Sequence, residues 1–182
     1  MKNIEEVVVH KEQIYKGNYL SFERWEVALP DDRHAMRDIV VPRDAVAILA
    51  LDNENNVHFV RHSRPAVNET LIEIPAGIIE PSESPEKTAR RELLEEIGIR
   101  AGKLKKLVSY YHAEGYSTGV IKIFLATELE VQPDFQPDQE EFLEHIKLPF
   151  QTALEWLKQE RFRDSKTIMG LLFTARELNL NF

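Results

Sequence analysis

The 23 residues from position 77 to position 99 constrain this chain more than any other part of it. Within them Glu92, Glu95 and Glu96 stand at i, i+3 and i+4, so a helix over this segment projects their carboxylates from neighbouring points of one face. Three anions so placed repel one another. A divalent cation between them removes the repulsion, and Mg²⁺, a hard ion that seeks oxygen, suits such a set.

The helix can be read from its ends. Ser84 is a good N-cap, Pro85 fits the first helical position, and Gly98 is placed to end the helix in the left-handed region. Ala89, Leu93 and Ile97 recur every four residues and form an apolar stripe beside the glutamates. Arg91, one turn before Glu95, is placed to neutralise and orient that carboxylate.

Gly77, Glu83, Arg91, Glu92, Leu93, Glu95, Glu96, Gly98 and Ile99 together resemble the signature of the Nudix hydrolases, which they meet at every fixed position. The resemblance implies an α/β/α sandwich built on a mixed sheet. It also implies metal coordination by the Ala76 carbonyl, Glu92 and Glu96, with Glu95 completing the shell directly or through water. Mg²⁺ is the expected ion and Mn²⁺ the alternative. Glu83 is expected to support Arg91 or the metal shell.

Looser likeness narrows the subfamily. The N-terminal region, Arg61-His-Ser-Arg64, Glu73-Ile-Pro-Ala-Gly77, the acidic segment Asp138-Gln139-Glu140-Glu141 and Asp164-Ser-Lys-Thr167 are similar to the ADP-ribose pyrophosphatases and nucleoside diphosphate sugar hydrolases. That group implies a homodimer with exchanged N-terminal arms, each helping to build its partner's base-binding pocket. It also implies a general base on the late acidic loop, Glu140 first and Glu141 as substitute, and a pyrophosphate anchor at Arg64. Two departures stand out. Relatives selective for ADP-ribose carry Ser-Pro-Gly where this chain has Ala113-Glu114-Gly115, which favours a broader nucleoside diphosphate sugar substrate, and Gln139 replaces an acid.

Further candidates come from chemistry. Guanidinium groups match phosphate oxygens, which makes Arg37 the second anchor after Arg64 and Arg61 a third candidate or the cap of a strand edge. Glu73 is read as a sugar or metal-shell acceptor, or as the salt-bridge partner of Arg64. Glu114 is a substrate-turn acid or a surface residue. Tyr15, Phe22 and Trp25 offer stacking surfaces for a base or belong to the core. No histidine pair has helical ligand spacing, so His58, His62 and His112 read as structural or surface residues.

Composition restricts the remaining classes. With 23 basic and 31 acidic side chains the net charge is −8, which disfavours long nucleic acid and anionic membranes. The absence of cysteine excludes disulfides and thiol catalysis. No stretch is apolar for long enough to span a bilayer and no apolar leader precedes the first strand, so a cytoplasmic protein is expected.

Strand patterns at 6–9, 20–29 and 36–41 describe a small antiparallel arm ending at residue 42, with a bulge near Glu23 and Arg24 where the alternation slips. A catalytic domain over 43–182 follows. Its expected strands lie at 45–51, 57–61, 71–74, 104–111, 120–125 and 142–148, and its closing helices at 150–159 and after Ser165 as N-cap. The leading expectation is Mg²⁺-dependent cleavage of a nucleoside diphosphate sugar to a nucleoside monophosphate and a sugar phosphate. The alternatives are a Nudix enzyme for nucleoside triphosphates, dinucleoside polyphosphates or RNA 5′ ends, and a non-catalytic nucleotide-sugar sensor.

Overall fold

The computed structural model describes residues 3–133, 135 and 142–180. By contact density the chain forms two compact units, Met1–Asp44 with Tyr111–Val120, and Ala45–Tyr110 with Ile121–Phe182.

In the first unit β1 (Val7–Lys16), β2 (Leu20–Ala28) and β3 (His34–Pro42) form an antiparallel sheet in that order. The β2–β3 register runs unbroken from Leu20↔Pro42 to Ala28↔His34. The bulge expected near Glu23 and Arg24 therefore lies elsewhere, because the irregularities fall in β1, between Val8 and His10 and between Gln13 and Tyr15. The reason is positional. An edge strand can accommodate an extra residue, whereas the central β2 has ladders on both sides to satisfy. Phe22 and Trp25 are half-buried, Trp25 donates to Glu23 at 2.7 Å, and the Lys11 ammonium stands 3.9 Å from the centre of the indole. Residues 111–120 join this unit through backbone bonds from Val40 to Tyr116 and from Thr118 to Val40, a grouping that the sequence did not indicate.

The second unit contains β4 (Ala45–Leu51), β5 (Asn56–Arg64), β6 (Glu69–Glu73), β7 (Ala76–Ile78), α1 (Pro85–Ile97), β8 (Ile99–Tyr111), β9 (Val120–Val131), β10 (Leu143–Pro149), α2 (Phe150–Lys158) and α3 (Ser165–Glu177). The sheet order is β10-β5-β4-β9-β8, with β6 on β5 and β7 on β4. It is mixed, since β4 runs parallel to β9 and antiparallel to β5. β4 is apolar along its whole length because both of its faces are covered. Ala47, Leu49 and Leu51 join α2 and α3 in one core, and Val46, Ile48 and Ala50 join α1 in the other. This is the three-layer α/β/α arrangement expected from the sequence.

Helix α1 follows its caps. The Ser84 hydroxyl accepts from the Lys87 amide, and Gly98, with φ 65°, donates to the carbonyls of Leu93 and Leu94. Leu93 and Ile97 are buried against the sheet, and each contributes about 1.5–3 kcal/mol by leaving water. For α3 the cap is Asp164, whose carboxylate accepts from the Thr167 amide, and Ser165 is the first helical residue instead of the cap. A carboxylate both accepts that bond and complements the positive end of the helix dipole. Gly170 lets α3 lie close on the sheet, since a Cβ there would stand 2.9 Å from Ile74 Cδ1. Among the described residues no helix is long and apolar enough to cross a membrane.

The β4–β5 turn carries a buried titratable group. Asp52 Oδ1 accepts from the amides of Glu54 and Asn56, and Asn55 adopts a left-handed φ of 59°. Behind the turn His58 is buried, stacked on His145 with Nδ1 2.9 Å from His145 Nε2, while Asp52 lies 3.5 Å from its Nε2. Burial, with help from His145 and Lys147, pulls the His58 pKa from 6.5 to about 4 although Asp52 opposes the shift. The folded pKa lies below the unfolded one, so this stabilisation is complete above pH 6.5 and is lost as pH falls toward 4. Wild-type stability is expected to drop by up to about 3 kcal/mol from this source, and His58→Phe, which keeps the stack, should flatten the profile. Urea unfolding of both proteins across that range checks it; an unchanged slope in the variant would clear His58 of the effect.

Candidate active site

Strand β7 and the glutamate-bearing face of α1 meet at the backbone of residues 76 and 77. A Cβ on Gly77 would stand 1.9 Å from Glu92 Cδ, so the missing side chain is what lets the Glu92 carboxylate lie against this strand. One residue earlier, the Ala76 amide donates to Glu96 Oε2 at 3.3 Å. Two carboxylates from successive turns of α1 thus converge on residues 76 and 77, which β7 holds in register with Ala47 and Val46 of β4.

Arg91 ties the rest of the acidic face together. Its guanidinium reaches Glu95 at 2.7 Å, Glu92 at 2.8 Å and Glu83 at 3.1 Å, and donates to the Ile78 carbonyl at 3.3 Å. Burial works against its charge, but the bonds to Glu95 and Glu83 and the field of Glu92 outweigh it and raise its pKa. Glu83 is largely buried. Burial opposes its ionisation, yet Thr88 and Arg91 hold its pKa below the ordinary value. The expected support of Arg91 by Glu83 is therefore a direct ion pair.

Glu92, Glu95, Glu96 and the Ala76 carbonyl are hard oxygen donors, a set that fits Mg²⁺ or Mn²⁺ and not a soft metal. Among the described residues no three acidic or histidine side chains stand together as a ready-made cation cage. Arg91, between Glu92 and Glu95, supplies the compensating positive charge there.

A second constellation lies on β5, β6 and the start of α3. Arg64 donates to both oxygens of Glu73, Nε to Oε1 at 2.8 Å and a terminal nitrogen to Oε2 at 2.7 Å. The Glu73 side chain is 2% exposed and that of Arg64 is 40% exposed, so the pair points its cation outward. Lys166 contacts Glu73 Oε2 as well and lies 2.8 Å from Asp164 Oδ1. Burial opposes ionisation of Glu73, but its bonds to Arg64 and the charge of Lys166 prevail and hold its pKa down to about 2. The sequence anticipated the Arg64–Glu73 bridge. It did not single out Lys166 or Asp164; the only trace was the Asp164-Ser-Lys-Thr167 likeness, whose Asp and Thr stand at N-cap spacing.

The other candidates are dispersed. Arg61 pairs with Glu144 of β10 at 2.5 Å, directly across the ladder. Arg37 pairs with Glu6 at 2.6 Å inside the first unit, and Glu114 is exposed in a turn of that unit. Tyr15 is exposed on β1. Glu140 and Glu141, the candidate bases, lie outside the described residues.

Comparison with known proteins decides the family. A NUDIX domain model matches residues 41–170. The chain belongs to the Nudix family. Among its relatives, the ADP-ribose pyrophosphatase of Bacillus subtilis (strain 168) is 36% identical over 174 residues, covering 95% of this chain and 94% of that protein. The methanol dehydrogenase activator of Bacillus methanolicus is 33% identical over 173 residues, 94% of each chain. A GDP-mannose pyrophosphatase of Escherichia coli O1:K1 / APEC is 29% identical over 180 residues, 92% of this chain and 94% of that one. A crystal structure of an ADP compounds hydrolase superposes with a TM-score of 0.84 at 19% identity, over 98% of this chain and 97% of that one, which establishes the Nudix fold. Nudix hydrolases in general use divalent metal ions, in keeping with the oxygen donors on α1.

Proposed function

We propose that this protein hydrolyses the diphosphate bond of nucleoside diphosphate sugars, such as ADP-ribose or GDP-mannose, to a nucleoside monophosphate and a sugar phosphate. The observation that carries this reading is the convergence of Glu92 and Glu96 on residues 76 and 77 of β7, made possible by the bare backbone of Gly77. The relatives named ADP-ribose pyrophosphatase and GDP-mannose pyrophosphatase match almost the whole chain and support the substrate class.

Two anionic phosphoryl groups repel an incoming nucleophile, so cleavage needs positive charge on their oxygens and a water placed in line with the leaving group. Mg²⁺ held by Glu92, Glu96, Glu95 and the Ala76 carbonyl would supply that charge. Arg91 keeps Glu95 ionised and oriented through their 2.7 Å pair. Arg64 presents its guanidinium to the diphosphate, and Glu73, its side chain 2% exposed, orients that guanidinium from behind. Glu140, or Glu141 in its place, takes the proton of the attacking water; the water oxygen bonds to one phosphorus as the P–O–P bridge breaks, and the bridging oxygen leaves with the other phosphate. A panel of nucleotide sugars assayed with Mg²⁺ or Mn²⁺, with products identified, tests the reading, and no turnover of any member would sink it. Glu140→Gln is expected to lower kcat more than it raises KM; an unchanged kcat would move the base to Glu141.

The active form is a homodimer with exchanged arms. β1 is exposed along its length, and Ile4, Val7, Val9, Tyr15, Tyr19 and Met36 each expose more than half of their surface, an apolar area that a second copy of the chain would cover. Each arm then contributes Arg37 or an aromatic side chain to its partner's pocket. Sedimentation equilibrium at micromolar concentration should give twice the mass of 21.1 kDa. A monomer there would end the exchanged-arm reading.

A further inference from the structure

We infer that Lys166, held by Asp164, is a positioning residue that keeps Arg64 available to an anionic diphosphate by offsetting Glu73. The inference rests on the reading of Arg64 as a diphosphate anchor. Arg64 donates to both oxygens of Glu73 in a fork, an arrangement that by itself neutralises the guanidinium. Asp164 adds a second carboxylate within electrostatic reach of Arg64, and Glu96 of α1 a third. Among three carboxylates the anchor would bind an anion poorly, and one further cation cancels one of the three negative charges. Lys166 is that cation. It touches Glu73 Oε2 and Asp164 Oδ1, and its side chain is 12% exposed, so solvent screens it little.

The same residues fix the backbone of the site. Asp164 Oδ2 accepts from the Thr167 amide at 3.0 Å and from its hydroxyl at 2.6 Å. The Thr167 hydroxyl oxygen in turn accepts from the Ile74 amide at 2.9 Å, three residues before Gly77. The start of α3 is therefore bolted to the segment that carries Glu73 and leads into β7. A buried cluster of three charges, Glu73, Lys166 and Asp164, gains little stability over an apolar cluster of equal volume. Its placement behind a partly exposed arginine gives it a use in binding instead.

The test is steady-state hydrolysis of ADP-ribose, or of the best nucleotide sugar found, by the full-length protein and its Lys166→Met variant. KM is expected to rise about tenfold while kcat stays within about twofold, as a weakened ground-state anchor requires. Adding Asp164→Asn, which keeps a capping oxygen but removes a negative charge, should recover at least about threefold of the lost KM. A purely structural role would make the double variant worse. Lys166→Gln, which retains a donor for Glu73 without the charge, is carried in parallel and decides the matter if the methionine variant does not fold. Unchanged KM, a fall in kcat matching the rise in KM, or no recovery in the double variant overturns the role of Lys166. Wild-type protein that hydrolyses no nucleotide sugar, or Arg64→Ala with normal KM, overturns the underlying reading as well, so the two failures are told apart.

Discussion

Glu92→Gln and Glu96→Gln are each expected to lower turnover by about 10³-fold or more while the protein keeps its melting temperature within a few degrees. Each change removes one negative charge and almost no volume. Leu93 and Ile97, which hold α1 on the sheet, are untouched. Binding of Mn²⁺, followed by electron paramagnetic resonance, should weaken in parallel with activity, which separates loss of the metal site from a folding defect. Activity near wild type at saturating metal in either variant would displace these two residues from the centre of the site. The glutamine amide can still accept a hydrogen bond, so what is tested is the charge.

The second large effect is expected from adding a single methyl group. Gly77→Ala places a Cβ where the Glu92 carboxylate now lies, 1.9 Å from its Cδ, and the two cannot coexist. Gly77 is not among the residues with positive φ, so alanine can adopt its backbone conformation. The obstructed atoms belong to the far end of a flexible side chain, which yields more readily than backbone would. The fold is therefore expected to persist while Glu92 swings away from β7, at a cost of about 10²-fold in kcat/KM. A melting curve with activity measured on the same sample checks both halves of the expectation. If Gly77→Ala retains full activity, the close approach of Glu92 to β7 has no part in catalysis.

What could be read in advance has a common property: its physical cause lies within a few residues of its effect. The Ser84 cap, the Gly98 terminator and the stripe of Ala89, Leu93 and Ile97 are all set by local hydrogen bonds and by the helical repeat. The Arg91–Glu95 pair, four residues apart, follows from that same geometry. The unbroken apolar run of β4 likewise requires cover on both faces, whatever supplies it.

The misread features depend on neighbours that the linear pattern does not name. The irregularities lie in β1 and not in β2; alternation reports that a register slips but not which of two paired strands holds the extra residue. Ser165 and Asp164 are adjacent and both able to cap, and the choice between them was settled by where the helix had to start for Thr167 to reach Ile74.

By itself, then, the sequence determined helix α1, its caps, its buried stripe and the layered core that receives it, since these follow from side-chain periodicity and backbone hydrogen bonding over one or two turns. Only the tertiary structure decided which charges meet. His58 finds His145 across 87 positions, and Glu73 finds Lys166 across 93. Coulomb and hydrogen-bond energies act over a few ångströms of space and are blind to separation along the chain, so those partners become visible only once the strands and α3 are in place.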